Sequence, residues 1–212
     1  MFSKQVWHDR KHQVEVFRNQ EGEVIGTIVS FRKGICLINP RPDILIALYQ
    51  EAKIRRISSV NTIVLTESRP EFVRGLCTFL GYSRELKRRK VLGVRMVVEN
   101  PRATSFINSC CMQIMKSGSR FDLDLGHLTG DSEHRLGDGV IRVRRSAADS
   151  EKTAMPFVEI RTGERTIHYF DERFRDCDVA SADGSEPDVA IRAAQIPLYR
   201  QVIERDFIRV AR

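Results

Sequence analysis

The segment from Thr66 to Leu76 constrains the fold of this chain more than any other part of the sequence. It reads Thr-Glu-Ser-Arg-Pro-Glu-Phe-Val-Arg-Gly-Leu and follows Asn61 to Leu65, an apolar run typical of a buried strand. Its end leads into further apolar positions, Phe79 and Leu80. The sequence therefore predicts a strand, a polar loop and a second apolar segment in direct succession.

This arrangement resembles the signature of the metallo-β-lactamase superfamily, in which a strand is followed by Thr-His-x-His-x-Asp-His-x-x-Gly-Leu. Four residues fit that frame: Thr66, Pro70, Gly75 and Leu76. Glu71 replaces the Asp, and the three His positions hold Glu67, Arg69 and Phe72. Neutral imidazole is the main zinc ligand in such sites, and an arginine cannot be deprotonated to serve as one. The resemblance therefore implies the fold without its metal chemistry.

The order of the predicted elements extends the resemblance over roughly residues 24 to 172, and it is nearest to the ribonuclease-Z-like and phosphodiesterase-like branch. Asn39 stands where the family's early Asp-x-Gly-Pro turn has its Asp, and a helix is predicted from Pro42 to Lys53. The strand Thr166 to Phe170 resembles the late strand that ends in the family's bridging Asp, here Asp171. The implied fold is α+β, a four-layer αββα sandwich of metallo-β-lactamase type that is shortened at the C-terminus.

Turn chemistry predicts three β-hairpins in addition to these elements. The first joins 12–18 to 24–30, the second joins 133–136 to 140–143 through Asp138-Gly139, and the third joins 157–160 to 166–170. A further helix is predicted from Ala103 to Met115. The halves of the chain are thus both rich in strands, with helices between them.

Composition favours one cytoplasmic domain, predicted to span residues 1–176. The chain has 212 residues, 42% of them hydrophobic, which is enough for a full core. No apolar run approaches the ~18 residues of a membrane span, and the first residues lack the apolar core of a signal peptide. The five cysteines are odd in number and include no Cys-x-x-Cys pair, which argues against a disulfide framework.

The end of the chain departs from the family pattern. Residues 177–188 are small and acidic and are predicted to form a loop or linker. Residues 189–212 are predicted to contain a helix, with Pro197 as a break, that packs on the domain or on a partner subunit. No His follows His168, so the family's last metal ligand is also missing. A homo-oligomer, or a heterodimer with an active relative, is expected.

Two interpretations of the substituted loop remain open. In the first, Glu67, Arg69 and Glu71 form an ion-pair network without a cofactor, and Phe72 fills the space of the former ligands. In the second, Glu67, Glu71 and Asp171 hold Mg²⁺ or Mn²⁺, metals that prefer oxygen ligands, and His168 assists proton transfer. The first interpretation makes the protein a pseudoenzyme with a scaffolding, oligomerisation or regulatory role. The second makes it a phosphodiesterase or nuclease.

The net charge of +7 favours an anionic partner, and two basic stretches are candidates for nucleic-acid binding. The first contains Lys87, Arg88, Arg89 and Lys90, and the second contains Arg142 and Arg144. Few aromatic residues accompany these charges, so a surface that stacks single-stranded bases is not indicated. The same residues also fit a solvated helix face and a strand face that meets the acidic groups of a partner protein.

Overall fold

Two β-sheets pack face to face, and three helices cover the far side of the larger one. The computed structural model describes residues 2–8, 11–51, 57–85, 91–96, 101–116, 122–128, 133–145, 156–162, 165–170, 189–192, 202–204 and 209–211. The helices are α1 (Asp43–Gln50), α2 (Pro70–Glu85) and α3 (Pro101–Lys116). Among the residues described, fourteen strands make up the sheets.

The first sheet has eight strands in the order β14-β1-β2-β3-β4-β5-β6-β7. Their bounds are β1 Ser3–His8, β2 Gln13–Arg18, β3 Val24–Phe31, β4 Gly34–Ile38, β5 Val60–Leu65, β6 Val91–Met96, β7 Asp122–His127 and β14 Arg209–Ala211. The strands β4, β5, β6 and β7 run parallel to one another, so their carboxyl ends share one edge of the sheet. That edge carries the loop from Thr66 onwards.

The second sheet has six strands in the order β13-β12-β11-β10-β9-β8. Their bounds are β8 Glu133–Leu136, β9 Gly139–Arg145, β10 Pro156–Thr162, β11 Thr166–Phe170, β12 Val189–Arg192 and β13 Val202–Glu204. All pairs are antiparallel except β11 with β12. The three predicted hairpins are confirmed as β2–β3, β8–β9 and β10–β11.

Alternation along the strands divides the core into two layers. On β9 and β10, Ile141, Val143, Val158 and Ile160 point inward and pack against the first sheet, while the residues between them point outward. The helices bury their apolar faces on the other side of the first sheet, for example Leu48, Leu76 and Ile107. Among the described residues, none of the three helices combines the length and the apolarity that a membrane crossing requires.

The prediction of a C-terminal helix within 189–212 is wrong for the residues of that region that the structure describes. Val189–Arg192 and Val202–Glu204 are strands of the second sheet, and Arg209–Ala211 pairs with β1. Val189 and Ile191 are β-branched and alternate, and they pair with the parallel strand β11, which supplies the backbone partners that a strand needs. A short run of valine and isoleucine fits both the period of a helix and the period of a strand. Pairing with the neighbouring strand β11 stabilises the strand. Residues 177–188 lie outside the described residues.

The structure also explains the glycine of the Thr66–Leu76 segment. A Cβ atom on Gly75, in the first half of α2, would lie 1.9 Å from the carbonyl oxygen of Pro40 and 2.5 Å from its carbonyl carbon. Because both contacts are with backbone, no side-chain rotation can relieve them. Gly75 therefore lets α2 approach the loop after β4 at this point.

We expect Gly75→Ala to lower the free energy of unfolding by roughly 3 kcal/mol or more, because the helix must move away from Pro40. The matched control is Gly81→Ala in the same helix, where an added Cβ meets nothing within 4 Å. This control should gain up to about 1 kcal/mol from its helix propensity. Urea denaturation of both variants measures the difference, and equal midpoints would contradict the close approach.

Candidate functional site

Asn39 joins the loop after β4 to the loop after β5. Its Nδ2 donates to the hydroxyl of Thr66 at 2.6 Å, and its Oδ1 accepts from the backbone nitrogen of Thr66 at 2.8 Å. Asn39 has a φ of +46°, in the left-handed region that asparagine tolerates better than most residues. Thr66 and Asn39 are both buried, at 4% and 1% exposed. The first residue of the signature-like segment is thus fixed to the residue that replaces the family's early Asp.

A chain of alternating charges lies along these two loops. Arg69 pairs with Glu67 at 2.6 Å and with Glu71 at 3.5 Å. Arg41 pairs with the same Glu71 at 3.6 Å and with Glu23 at 2.5 Å. We call these five residues the loop-edge network. The predicted pairing of Arg69 with Glu67 and Glu71 is confirmed.

The loop-edge network perturbs at least one of its carboxyl groups. The pKa of Glu23 is lowered from its ordinary value, first by the hydrogen bond from Arg41 and further by the charges of Arg41 and Arg69, against an opposing effect of burial. All five side chains are partly shielded from water, at 15 to 33% exposed. Each carboxylate of the network faces a guanidinium.

Phe72 and Arg69 form a stack at the start of α2. The guanidinium carbon of Arg69 lies 4.8 Å from the centroid of the Phe72 ring, a cation–π arrangement. Phe72 is 4% exposed and belongs to the apolar layer between the first sheet and the helices. Phe72 therefore packs into that layer, and its ring stacks against the guanidinium of Arg69.

The described residues of the loop do not suit a divalent metal of the kind that the fold family implies. Within the part of the chain that the structure describes, no group of three or more His, Cys, Asp and Glu side chains is placed to hold an ion. Glu67 and Glu71 both face Arg69, which has no lone pair to donate to a metal. Asp171, the third carboxylate of the predicted Mg²⁺ or Mn²⁺ site, lies outside the described residues.

His168 does not reach the loop, which corrects its predicted role in proton transfer there. It points to the outer face of the second sheet, where its Nε2 lies 3.3 Å from Oε2 of Glu159 and its ring packs on Phe157. The side chain that faces inward is its neighbour Tyr169, whose hydroxyl lies 3.4 Å from Nδ2 of Asn39. Successive residues of a strand point to opposite faces, so only one of the two can approach the loop.

Glu159 is the centre of a second charged group on that outer face. Its carboxylate is fully buried and lies 2.5 Å from Nε of Arg142, 3.6 Å from Arg144 and 3.7 Å from Arg161. Burial alone would raise its pKa, but the hydrogen bonds from His168 and Arg142 and the arginine charges outweigh burial and lower it to about 2. We call these residues, with His168, the Glu159 cluster.

The Glu159 cluster bears on the predicted nucleic-acid surface. Arg142 and Arg144, two of the candidate residues, face a carboxylate of their own chain, and Arg142 also lies 3.3 Å from Glu133. The charge that they offer to a phosphate is reduced accordingly. The other candidates, Lys87, Arg88, Arg89 and Lys90, lie outside the described residues.

His134 forms a third polar group between the sheets and is hydrogen-bonded through both ring nitrogens. Arg95 donates from Nε to its Nδ1 at 2.9 Å, and Thr62 lies 3.2 Å from its Nε2. Burial and the charge of Arg95 lower the pKa of His134. Arg95 also bonds the carboxylate of Asp124. The ring of His134 is thus held by two neighbours, neither of which is a metal ligand.

Sequence reasoning missed several members of these groups. Glu23 and Arg41 were absent from the predicted site, since they are far from the Thr66–Leu76 segment in sequence and only the sheet brings them close. Glu159 carried a signal that was not used: it is a lone acidic residue inside the apolar strand Phe157–Ile160. A charge inside a strand whose neighbours are buried requires a partner, and the arginines of β9 were the nearest candidates.

Comparison with solved structures gives the class of fold. The metallo-β-lactamase fold protein YhfI from Bacillus subtilis is similar over 76% of this chain, with a TM-score of 0.52 and 11% identity. A HARLDQ-motif mutant of a metallo-β-lactamase from Cronobacter sakazakii is similar over 85%, with a TM-score of 0.53 and 9% identity. Human tRNase Z, short form, is similar over 68%, with a TM-score of 0.50 and 11% identity.

This chain has the metallo-β-lactamase fold. It spans 62% of the Bacillus protein, 76% of the Cronobacter protein and 60% of human tRNase Z. A scan against protein-family models and a search of curated proteins found no match. The predicted α+β fold and the predicted likeness to ribonuclease Z are therefore confirmed at the level of the fold.

The pKa of Glu159 gives a prediction for acid stability. A carboxyl group with a lowered pKa in the folded state stabilises the protein above its unfolded value, near 4.5, and this contribution is lost as the pH falls towards 2. We expect Glu159→Gln to lower the free energy of unfolding at pH 7 by roughly 3 kcal/mol and to flatten its decline between pH 4.5 and 2.

Denaturation curves across this pH range make the test, with Glu133→Gln as the matched control. Glu133 meets the same Arg142, but its side chain is 52% exposed, so its removal should cost under about 1 kcal/mol. A Glu159→Gln protein with the stability and the pH dependence of the unsubstituted chain would show that the cluster is not held by this carboxylate.

Proposed function

We propose that this protein is a catalytically degenerate member of the metallo-β-lactamase fold, with a scaffolding, oligomerisation or regulatory role. The observation that carries the proposal is the position of Arg69. Its guanidinium lies between Glu67 and Glu71, on the loop where the family's signature has its histidine ligands. A permanent cation there occupies the carboxylates that a metal would need.

Electrostatics explains why this arrangement excludes a divalent ion. Arg69 stays protonated at every physiological pH, so a metal that approaches Glu67 or Glu71 meets a like charge in contact with both carboxylates. Displacing the guanidinium would break two ion pairs and its stack on Phe72. In addition, residues 145–150 contain no His, and none follows His168, so the other ligands expected by resemblance are missing from the sequence.

A hydrolase with a rearranged carboxylate site is the second candidate function. One observation favours it: the HARLDQ motif named for the Cronobacter protein has an arginine in its third position and an acidic residue in its fifth. Residues 67–72, read in the same order, have Arg69 and Glu71 at those positions. In this candidate Glu67, Glu71 and Asp171 hold Mg²⁺ or Mn²⁺ and the reaction is phosphodiester hydrolysis.

Partners remain predictions from the sequence. The described parts of the segment on which the predicted dimer was based, Val189–Arg192 and Val202–Glu204, are strands, so association needs a different surface. Four large apolar side chains are at least half exposed and would be covered by a partner: Ile46, Tyr49, Phe106 and Met112. A homodimer or a heterodimer with an active relative, nucleic-acid binding and a cytoplasmic location all stand as proposals.

We expect the full chain to show no metal-dependent hydrolysis. Bis(p-nitrophenyl) phosphate is the substrate, with Zn²⁺, Mn²⁺ or Mg²⁺ added in turn, and the rate should equal that of a Glu67→Gln/Glu71→Gln protein. A triple variant with Glu67→His, Arg69→His and Phe72→His should be equally inactive, because the later ligands are still missing.

The double variant Glu67→Gln/Glu71→Gln and the triple histidine variant distinguish the two candidate functions. Turnover by the unsubstituted chain that requires a metal and disappears in Glu67→Gln/Glu71→Gln would establish the carboxylate site and refute the non-catalytic role. Turnover by the triple variant alone would refute the account of the missing ligands.

A further inference from the structure

Arg18, the last residue of β2, is a buried cation without a carboxylate partner in the part of the chain that the structure describes. It is 1% exposed, and its Nη1 donates to the carbonyl oxygen of Gly22 at 2.7 Å. Its Nε and Nη2 are also buried and have no hydrogen-bond partner among the described residues. These two nitrogens form the side-on edge of the guanidinium, where two N–H bonds point in the same direction.

The surroundings of Arg18 are polar as well as buried. Arg18 lies on the inner face of the first sheet, two residues after the inward-facing Val16. Thr27 is opposite Val16 on β3, and its hydroxyl is buried without a hydrogen-bond partner in the described residues. From the second sheet, Tyr169 acts electrostatically on Arg18 and extends its hydroxyl towards Asn39. The described residues around Arg18 thus include two unpartnered guanidinium nitrogens and, on the same face of the first sheet, a hydroxyl without a hydrogen-bond partner.

The charge of Arg18 needs an anion. Burial lowers its pKa to about 10, and Tyr169 opposes that shift, so the guanidinium is still protonated at neutral pH. A buried charge without a counter-charge is strongly destabilising, and proteins satisfy such groups by pairing them.

We infer that the Nε and Nη2 edge of Arg18 binds the carboxylate or phosphate group of a small-molecule anion between the two sheets. Two oxygens of that group accept one hydrogen bond each, the geometry that a guanidinium fork matches. The hydroxyl of Thr27 lies on the same face of the sheet and supplies a further donor. This anion site goes beyond the proposed non-catalytic role, since it requires neither a metal nor a reaction.

Thermal unfolding of the full chain tests the anion site directly. Sodium phosphate and sodium acetate are titrated separately, with sodium chloride at equal ionic strength as the reference. We expect one of the two oxyanions to raise Tm in a saturating manner, by roughly 5 °C or more at 100 times its Kd, while chloride does not. The arm that responds identifies the group as phosphate or carboxylate.

Three variants assign the effect to Arg18. Arg18→Gln should lose the oxyanion response, and Arg18→Lys, which keeps the charge without the fork, should weaken it at least tenfold in apparent Kd. Arg32→Gln is the matched control, because Arg32 is an exposed arginine in the turn after β3 and should leave the response unchanged. A response that persists in Arg18→Gln overturns the assignment, even if Arg18→Lys fails to fold.

A carboxylate from the chain itself is the competing partner, and Asp171 is the candidate because it follows Tyr169 by two residues in the sequence. If Asp171 pairs with Arg18, the unsubstituted chain gives no oxyanion response, and Asp171→Asn acquires one. That pair of results, or the absence of any response in both proteins, overturns the anion site. Hydrolysis assays have no bearing on this outcome, so the anion site and the non-catalytic role fail independently.

Discussion

The two hydrogen bonds between Asn39 and Thr66 hold together the loops that carry most of the candidate site. One loop follows β4 and carries Arg41, and the other follows β5 and carries Glu67, Arg69 and Glu71. Parallel strands bring the two loops to the same edge, where the backbone nitrogen of Asn39 donates to the carbonyl oxygen of Val64 and its side chain bonds both the backbone and the hydroxyl of Thr66. The close approach of Gly75 to Pro40 depends on the distance that these hydrogen bonds fix.

The loop-edge network determines what this edge of the sheet can do more than how stable it is. Its ion pairs are partly exposed, and such pairs contribute about 1 kcal/mol or less each. They leave no unpaired carboxylate for a metal ion among the described residues of the loop-edge network, because each of its carboxylates already faces a guanidinium. Arg18 is different: it is buried, its charge has no counter-charge among the described residues, and its Nε and Nη2 have no hydrogen-bond partner there.

Local chemistry made much of the fold predictable. The Asp138-Gly139 turn and the alternation around it were sufficient for the β8–β9 hairpin, and the frame from Thr66 to Leu76 identified the fold although it lacks the histidines of the family signature. The C-terminal strands were not predictable in this way, because a run such as Val189–Arg192 becomes a strand only when β11 is present beside it. The site was predicted in part. Arg69 and its two glutamates are neighbours in sequence, whereas Arg41 and Glu23 meet them only through the sheet. The separation of His168 from the loop follows from which face of β11 points towards the first sheet.

Elemental analysis of the full chain, purified without chelator and then equilibrated with Zn²⁺, Mn²⁺ or Mg²⁺, tests most directly whether ion pairs have replaced a metal at the loop edge. We expect far less than one bound ion per chain after removal of free metal, with no difference between the unsubstituted chain and Glu67→Gln/Glu71→Gln. One or two tightly held ions per chain that are lost when Glu67 and Glu71 are changed would contradict it.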